Sequence, residues 1–242
     1  MILDGNILKC VGDFKVLKTL AESEFSNIYL AENVNTHKRY ALKAIKNLNN
    51  KYRINNEVNI YKKVNTFDNV LKLYKVFKDE KKLFLVYELS SYSDLQSIVK
   101  KEGKLDESTI LKVLEDVLIT LKQAHNKNII HNNIKPENIL LHNNKYCLTN
   151  WGLSKQNEQV KIIDIKLDDN YTAPETYKGF ANKSSDIYSF GATLFYLATS
   201  SVTYAFDNKD DFSYKMYAHC KLDVDLSLIQ SKKIKYIVSS IM

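Results

Sequence analysis

IIHNNIKPENILLHNNKYCLTNWG, residues Ile129 to Gly152, decides the reading of this chain. Its apolar run Ile139-Leu140-Leu141 reads as a strand, and a short hairpin carries the chain on to Asn150-Trp151-Gly152. His131, Lys135 and Glu137 are the ionisable side chains of its first half. Beside them stand Asn133, Asn138 and Asn150. A carboxamide has much the shape of a carboxylate, but it carries no charge and has negligible basicity.

The totals around this stretch are those of a globular protein. At 242 residues with 45% hydrophobic side chains, the chain suits one large or two small globular bodies. No apolar run reaches the roughly 18 residues of a membrane span, and the N-terminus lacks a charged-then-apolar leader pattern. Cys10, Cys147 and Cys220 are widely spaced, which fits a reducing compartment better than a disulfide framework or a zinc site. An intracellular location, cytoplasmic or nuclear, is the expectation. Lys+Arg 35 against Asp+Glu 28 gives +7, which raises nucleic acid or an acidic protein as partner. The lysines scatter instead of forming one block, so a solvated basic surface explains them as well. The abundance of Asn, Lys, Ile and Tyr fits an AT-rich coding sequence.

The quoted stretch resembles the catalytic core of the eukaryotic protein kinase family. His131, Lys135, Pro136, Glu137 and Asn138 fit the family's H-R-D-x-K-P-x-N loop, and Asn150-Trp151-Gly152 stands at its D-F-G. Among the departures two carry the chemistry: the catalytic-base Asp is Asn133 and the metal-holding Asp is Asn150. The resemblance is therefore to a pseudokinase. It implies an α+β, bilobal fold over residues 1–242, with a five-stranded antiparallel N-lobe carrying one helix (1–88) and a mainly helical C-lobe (89–242). The Lys-Pro-Glu-Asn wording is closer to Ser/Thr kinases of the calmodulin-dependent and related groups than to tyrosine kinases.

Outward from the core, the same resemblance holds in order. Strands are expected at Phe14–Leu20, Ile28–Ala31 and Tyr40–Ile45. Leu20 to Ile28 lies where the family has its glycine-rich phosphate loop, with Ala21, Ser23 and Ser26 at the glycine positions. Glycine serves there because backbone N–H groups must approach phosphate with no Cβ between. Lys43 fits the lysine of the family's third strand. Ile54, Val58 and Tyr61 make a helical stripe with Glu57 beside it, and Glu57 fits the glutamate that pairs that lysine. Leu71–Phe77 and Leu83–Glu88 read as two strands around a turn at 78–82. By resemblance Tyr87 is the gatekeeper, Glu88 to Ser91 the hinge, and Ile28, Ala41 and Leu140 the apolar residues that hold adenine.

Further on, Ser93 is read as the cap of a short helix to Lys100. Residues 107–128 form the best helix, with Ile110, Val113, Leu114, Val117, Leu118 and Leu121 on a 3.6 period. Tyr61, Leu73, His131 and Trp151 fit the four positions of the family's regulatory spine. After a polar loop at 153–172, Ala173-Pro174-Glu175 matches A-P-E, and Asp186 opens the central helix, where the family's Asp accepts bonds from the catalytic-loop backbone. The family's phosphorylatable Thr aligns near Asp168, and the phosphate-binding arginine is Asn132. Two weaker helices follow, about 209–218 and 228–242. The resemblance stops before the family's last helix and the arginine that would pair Glu175.

Two functions compete on these residues. The first is a non-catalytic module that regulates or scaffolds a protein partner, an active kinase or its substrate. The second is a low-activity Ser/Thr kinase that uses Lys43, Lys135 and Asn138 with a replaced base. A nucleic-acid-binding protein rests on charge alone and stands last. The resemblance implies ATP as the ligand, bound weakly, with Asn138 and Asn150 at the metal positions and no strong hold on Mg²⁺ expected.

Overall fold

The computed structural model describes residues 10–46, 51–79, 82–157, 159–161, 170–204, 206 and 212–242. They divide into two compact units. One holds the described residues up to Asn55 with Leu71–Ser90; the other holds Asn56–Val70 and the described residues from Ser91 to Met242.

The first unit is an antiparallel sheet built from β1 (Cys10–Val11), β2 (Phe14–Glu22), β3 (Ser26–Asn33), β4 (Arg39–Ile45), β5 (Leu73–Asp79) and β6 (Lys82–Glu88). Their order is β1-β2-β3-β4-β6-β5, six strands where five are expected. The extra one is the two-residue β1, too short to show a period, which folds back on Phe14 and Lys15. Gly12 makes the turn at φ 53°, and a Cβ there would stand 3.1 Å from Phe77. Period-2 alternation then sorts the side chains. Phe14, Val16, Tyr29, Ala31, Leu42, Ala44, Phe84 and Val86 are buried in one cluster. Phe77 stacks between Phe14 and Phe84 at 5.7 and 5.4 Å. Burying each such ring contributes about 1.5–3 kcal/mol. The opposite face carries Ile28 across from Lys43 and Ala41 across from Tyr87.

A helix, α1 (Lys51–Val64), leads from the first unit into the second. Its buried positions are Ile54, Glu57, Ile60, Tyr61 and Val64. Glu57 thus lies in the apolar stripe, and Val58 is only half-buried.

The second unit is mainly helical. α2 (Leu95–Glu102) is capped by Asp94, whose side chain accepts from Ser97 N, so the cap is one residue later than Ser93. α3 (Glu107–Asn126) starts at Asp106, which accepts from Thr109 N. Its buried stripe keeps Ile110, Val113, Val117 and Leu121 but takes Asp116, Thr120 and Ala124; Leu118 is 40% exposed. Asp116 is held by Tyr146 N at 3.0 Å and by Lys112 Nζ at 2.9 Å, which satisfies a carboxylate that would otherwise be costly to bury.

β7 (Ile129–Ile130) follows, then the hairpin β8 (Ile139–His142) and β9 (Lys145–Leu148). Asn143 and Asn144 both have positive φ, 48° and 60°, which a two-residue I′ turn requires. The expected polar loop at 153–172 contains β10 (Lys155–Gln156), which pairs with β7, and β11 (Gln159–Lys161), which pairs with β12 (Phe180–Asn182). Asp168 and part of the 78–82 turn lie outside the described residues.

α4 (Lys183–Thr199) is buried nearly all round from Phe190 to Ala198 and packs on α3. A reciprocal Asn182–Ser185 box caps it. α5 (Phe212–Lys221) and α6 (Lys232–Ile241) close the unit. α6 lies so close to α4 that a Cβ on Gly191 would meet Ile241 at 2.6 Å.

Candidate functional site

The quoted stretch is anchored from below by α4. Asp186, 1% exposed, accepts from His131 N at 2.8 Å and from Asn132 N at 2.9 Å. Its Oδ2 also lies 2.8 Å from His125 Nε2. The expected role of Asp186 toward the loop backbone is thus present, with a partner that motif reading passed over. His125 ends α3 six residues before His131, and that spacing was the available signal.

His131 is fully buried and neutral. Its Nε2 donates to Thr149 O at 3.0 Å and its Nδ1 accepts from Asn133 N at 3.2 Å. Burial pushes its pKa down to about 4, against the opposing pull of the Asp186 charge and the Thr149 carbonyl. The Trp151 ring meets it edge-on at 4.6 Å and 76°. Tyr61, 2% exposed, is raised well above 10, by burial first and then by the Glu57 charge. Of the four spine positions, Tyr61, His131 and Trp151 are buried in the second unit, and Leu73 is half-buried on β5 of the first.

Three asparagines fill the centre of the loop. Asn138 Nδ2 donates to Asn133 O at 2.7 Å. Asn150 Nδ2 donates to Asn138 Oδ1 at 3.1 Å. The Asn138 main-chain oxygen accepts from Thr149 N at 2.9 Å and Thr149 Oγ1 at 3.1 Å. Asn150 sits in the left-handed region at φ 62°, a conformation that Asn tolerates better than most residues. The two side chains at the expected metal positions are therefore bonded to each other. The oxygen Asn138 would offer a cation faces an N–H instead, and neither side chain brings negative charge. Magnesium is held by oxygens, with carboxylates supplying much of the charge. Among the described residues no group of three or more His, Cys, Asp or Glu is placed to hold a metal. Lys135 Nζ lies 3.8 Å from Glu137 Oε1, and Leu140, on β8, is half-buried.

In the first unit the β2–β3 turn closes on itself. Ser23 N donates to Ser26 O at 2.9 Å, and Ser26 N to Ser23 Oγ at 3.1 Å. Lys46 Nζ caps Ser23 O at 2.7 Å, and the Arg53 guanidinium lies 4.3 Å over the Phe25 ring. The N–H groups of both serines at glycine positions are used internally. Lys43, Ala41, Ile28 and Tyr87 share one sheet face, set by the register. Glu88 is turned to β5, where its carboxylate accepts from Lys72 N at 3.2 Å and Tyr74 Oη at 3.4 Å. Glu175, whose partner the sequence left open, accepts from Ser185 Oγ at 2.5 Å.

Comparison with known proteins agrees with this architecture. The family model for the protein kinase domain matches residues 14–241. The chain is 32% identical over 204 residues to calcium-dependent protein kinase 5 of Plasmodium berghei, covering 81% of this chain and 36% of that protein. It is 32% identical over 212 residues to the serine/threonine-protein kinase PKH2 of Saccharomyces cerevisiae, covering 78% and 19%. With CBL-interacting protein kinase 11 of Oryza sativa it shares 27% identity over 254 residues, 100% of this chain and 49% of the other. The chain thus spans half or less of the length of these relatives.

Proposed function

The chain belongs to the protein kinase family, and on that premise we propose that it is a member without phosphoryl transfer, a regulatory or scaffolding module for a protein partner. A protein kinase domain is in general a site for ATP and magnesium. In the family the metal bridges phosphate oxygens and neutralises their developing charge. The observation that carries the reading is the Asn150–Asn138 bond at 3.1 Å, where a metal carboxylate is required. The base position adds to it: Asn133 cannot take the proton of a substrate hydroxyl. The fold-bearing residues Asp186, Trp151 and Glu175 stand with their partners, which supports a shaped surface as the working part. Its partner is an active kinase or the substrate of one, inside the cell, and not nucleic acid.

The second reading, a weak Ser/Thr kinase, is favoured by one observation. The loop backbone is still held by Asp186 as a working loop would need, and Lys43, Lys135 and Asn138 remain. Thermal-shift titration with ATP, with and without Mg²⁺, separates the two. The proposal expects a small shift that magnesium does not increase. A large magnesium-dependent stabilisation overturns it and returns the chain to the second reading.

A further inference from the structure

We propose that residues 150–154 are permanently latched to α1 by Asn56 and Tyr61, so that this segment keeps one conformation with no nucleotide, metal or phosphate to set it. The contacts all lie within the second unit. Asn56 Nδ2 donates to Ser154 O at 2.7 Å and to Gly152 O at 3.4 Å. Tyr61, 2% exposed on the same helix, faces the main-chain N–H of Asn150, whose pull opposes the rise that burial gives its pKa. From the other side, Asn132 Nδ2 donates to Leu153 O at 3.4 Å, and Ser154 Oγ to His131 O at 3.1 Å. Trp151 Nε1 reaches Leu148 O at 3.3 Å, inside the segment's own turn.

Each residue of the segment is therefore tied by a side chain, and five of those ties run to α1 or to the 131–132 loop. Trp151, Gly152 and Ser154 are buried. If the segment moved away, buried carbonyls and an N–H would lose their partners, and such losses are expensive. A switching segment needs two arrangements of similar free energy. Here one arrangement satisfies every side, with ligands supplied by the chain itself. Asn56 and Asn132 are neutral donors, so the latch answers neither to salt nor to pH near neutrality. The inference is independent of whether the chain transfers phosphate.

Trp151 is the one tryptophan of the sequence and is 0% exposed, so its fluorescence reports on this segment alone. In the unmodified protein, acrylamide quenching of Trp151 should be weak and unchanged by ATP with Mg²⁺ or Mn²⁺. In Asn56→Leu with Tyr61→Phe the quenching constant should rise severalfold while far-UV circular dichroism stays native. Two outcomes overturn the latch: wild-type quenching in the folded double variant, or an unmodified protein whose Trp151 is protected only after nucleotide and metal are added. If the double variant does not fold, hydrogen exchange of the unmodified protein decides. A peptide covering 148–156 should retain the Asn150 amide proton for minutes or longer, and exchange within seconds sinks the proposal.

Discussion

His131 shows how a single side chain ties the loop to solvent conditions. Its pKa falls from 6.5 unfolded to about 4 folded. A depressed value means that the unfolded chain binds the proton more readily. Stability from neutral His131 is therefore complete above pH 6.5 and is lost as pH falls toward 4, by about 1.4 kcal/mol per pH unit in that window. Urea unfolding between pH 4 and 7 should show this slope, and His131→Phe should flatten it; an equal slope in both proteins would deny the buried neutral imidazole. The asparagines are the other lesson at this scale. Eight described non-glycine residues have positive φ, and six are Asn: Asn69, Asn128, Asn132, Asn143, Asn144 and Asn150. The left-handed turns give part of the abundant asparagine a use. The sequence could show that Asn150 lacks charge. That its amide would turn onto Asn138 depends on that left-handed backbone, which residue type alone does not reveal.

At the scale of elements, α4 is the one on which the second unit is packed, and its tightest point is Gly191. Gly191→Ala would drive a Cβ to 2.6 Å from Ile241. Overpacking of this kind typically costs about 1–3 kcal/mol, so denaturant titration should show a loss in that range. Adding Ile241→Ala should restore part of it, because the clash is with that side chain. Undiminished stability of Gly191→Ala would mean that α6 does not sit against α4 as described. Strong periodicity made α3 and the strands β2 to β6 legible in the sequence. The exceptions have physical causes. Leu118 looks like core on a 3.6 period but turns outward, while Asp116 and Thr120 are carried in by hydrogen bonds that no hydropathy pattern records. Asp94 displaces Ser93 as cap because both types cap helices and only the backbone chooses between them. β1 is two residues long, and Gly12 alone hinted at it.

For the molecule as a whole, the chain has the protein kinase architecture, and Asn133 and Asn150 bring no carboxylate to its central loop. Among the described residues no helix is long and apolar enough to cross a membrane. The net charge of +7 is a feature of the scattered lysines. Ser23 and Ser26 bond to one another, and Asn138 links the Asn150 amide to the Asn133 main-chain oxygen. A positioned general base contributes about 10²–10⁴-fold, and loss of charge stabilisation at the transferring phosphate is often the larger deficit. Set against family rates of about 1–100 per second, the proposal expects the two losses together to leave little turnover. The direct test is transfer from radiolabelled ATP to generic basic and acidic substrates, in Mg²⁺ and in Mn²⁺. The unmodified protein should transfer no measurable phosphate, and neither should Asn133→Asp with Asn150→Asp, whose β2–β3 turn is still closed by Ser23 and Ser26. Turnover by the unmodified protein that disappears in Lys43→Met would contradict the account.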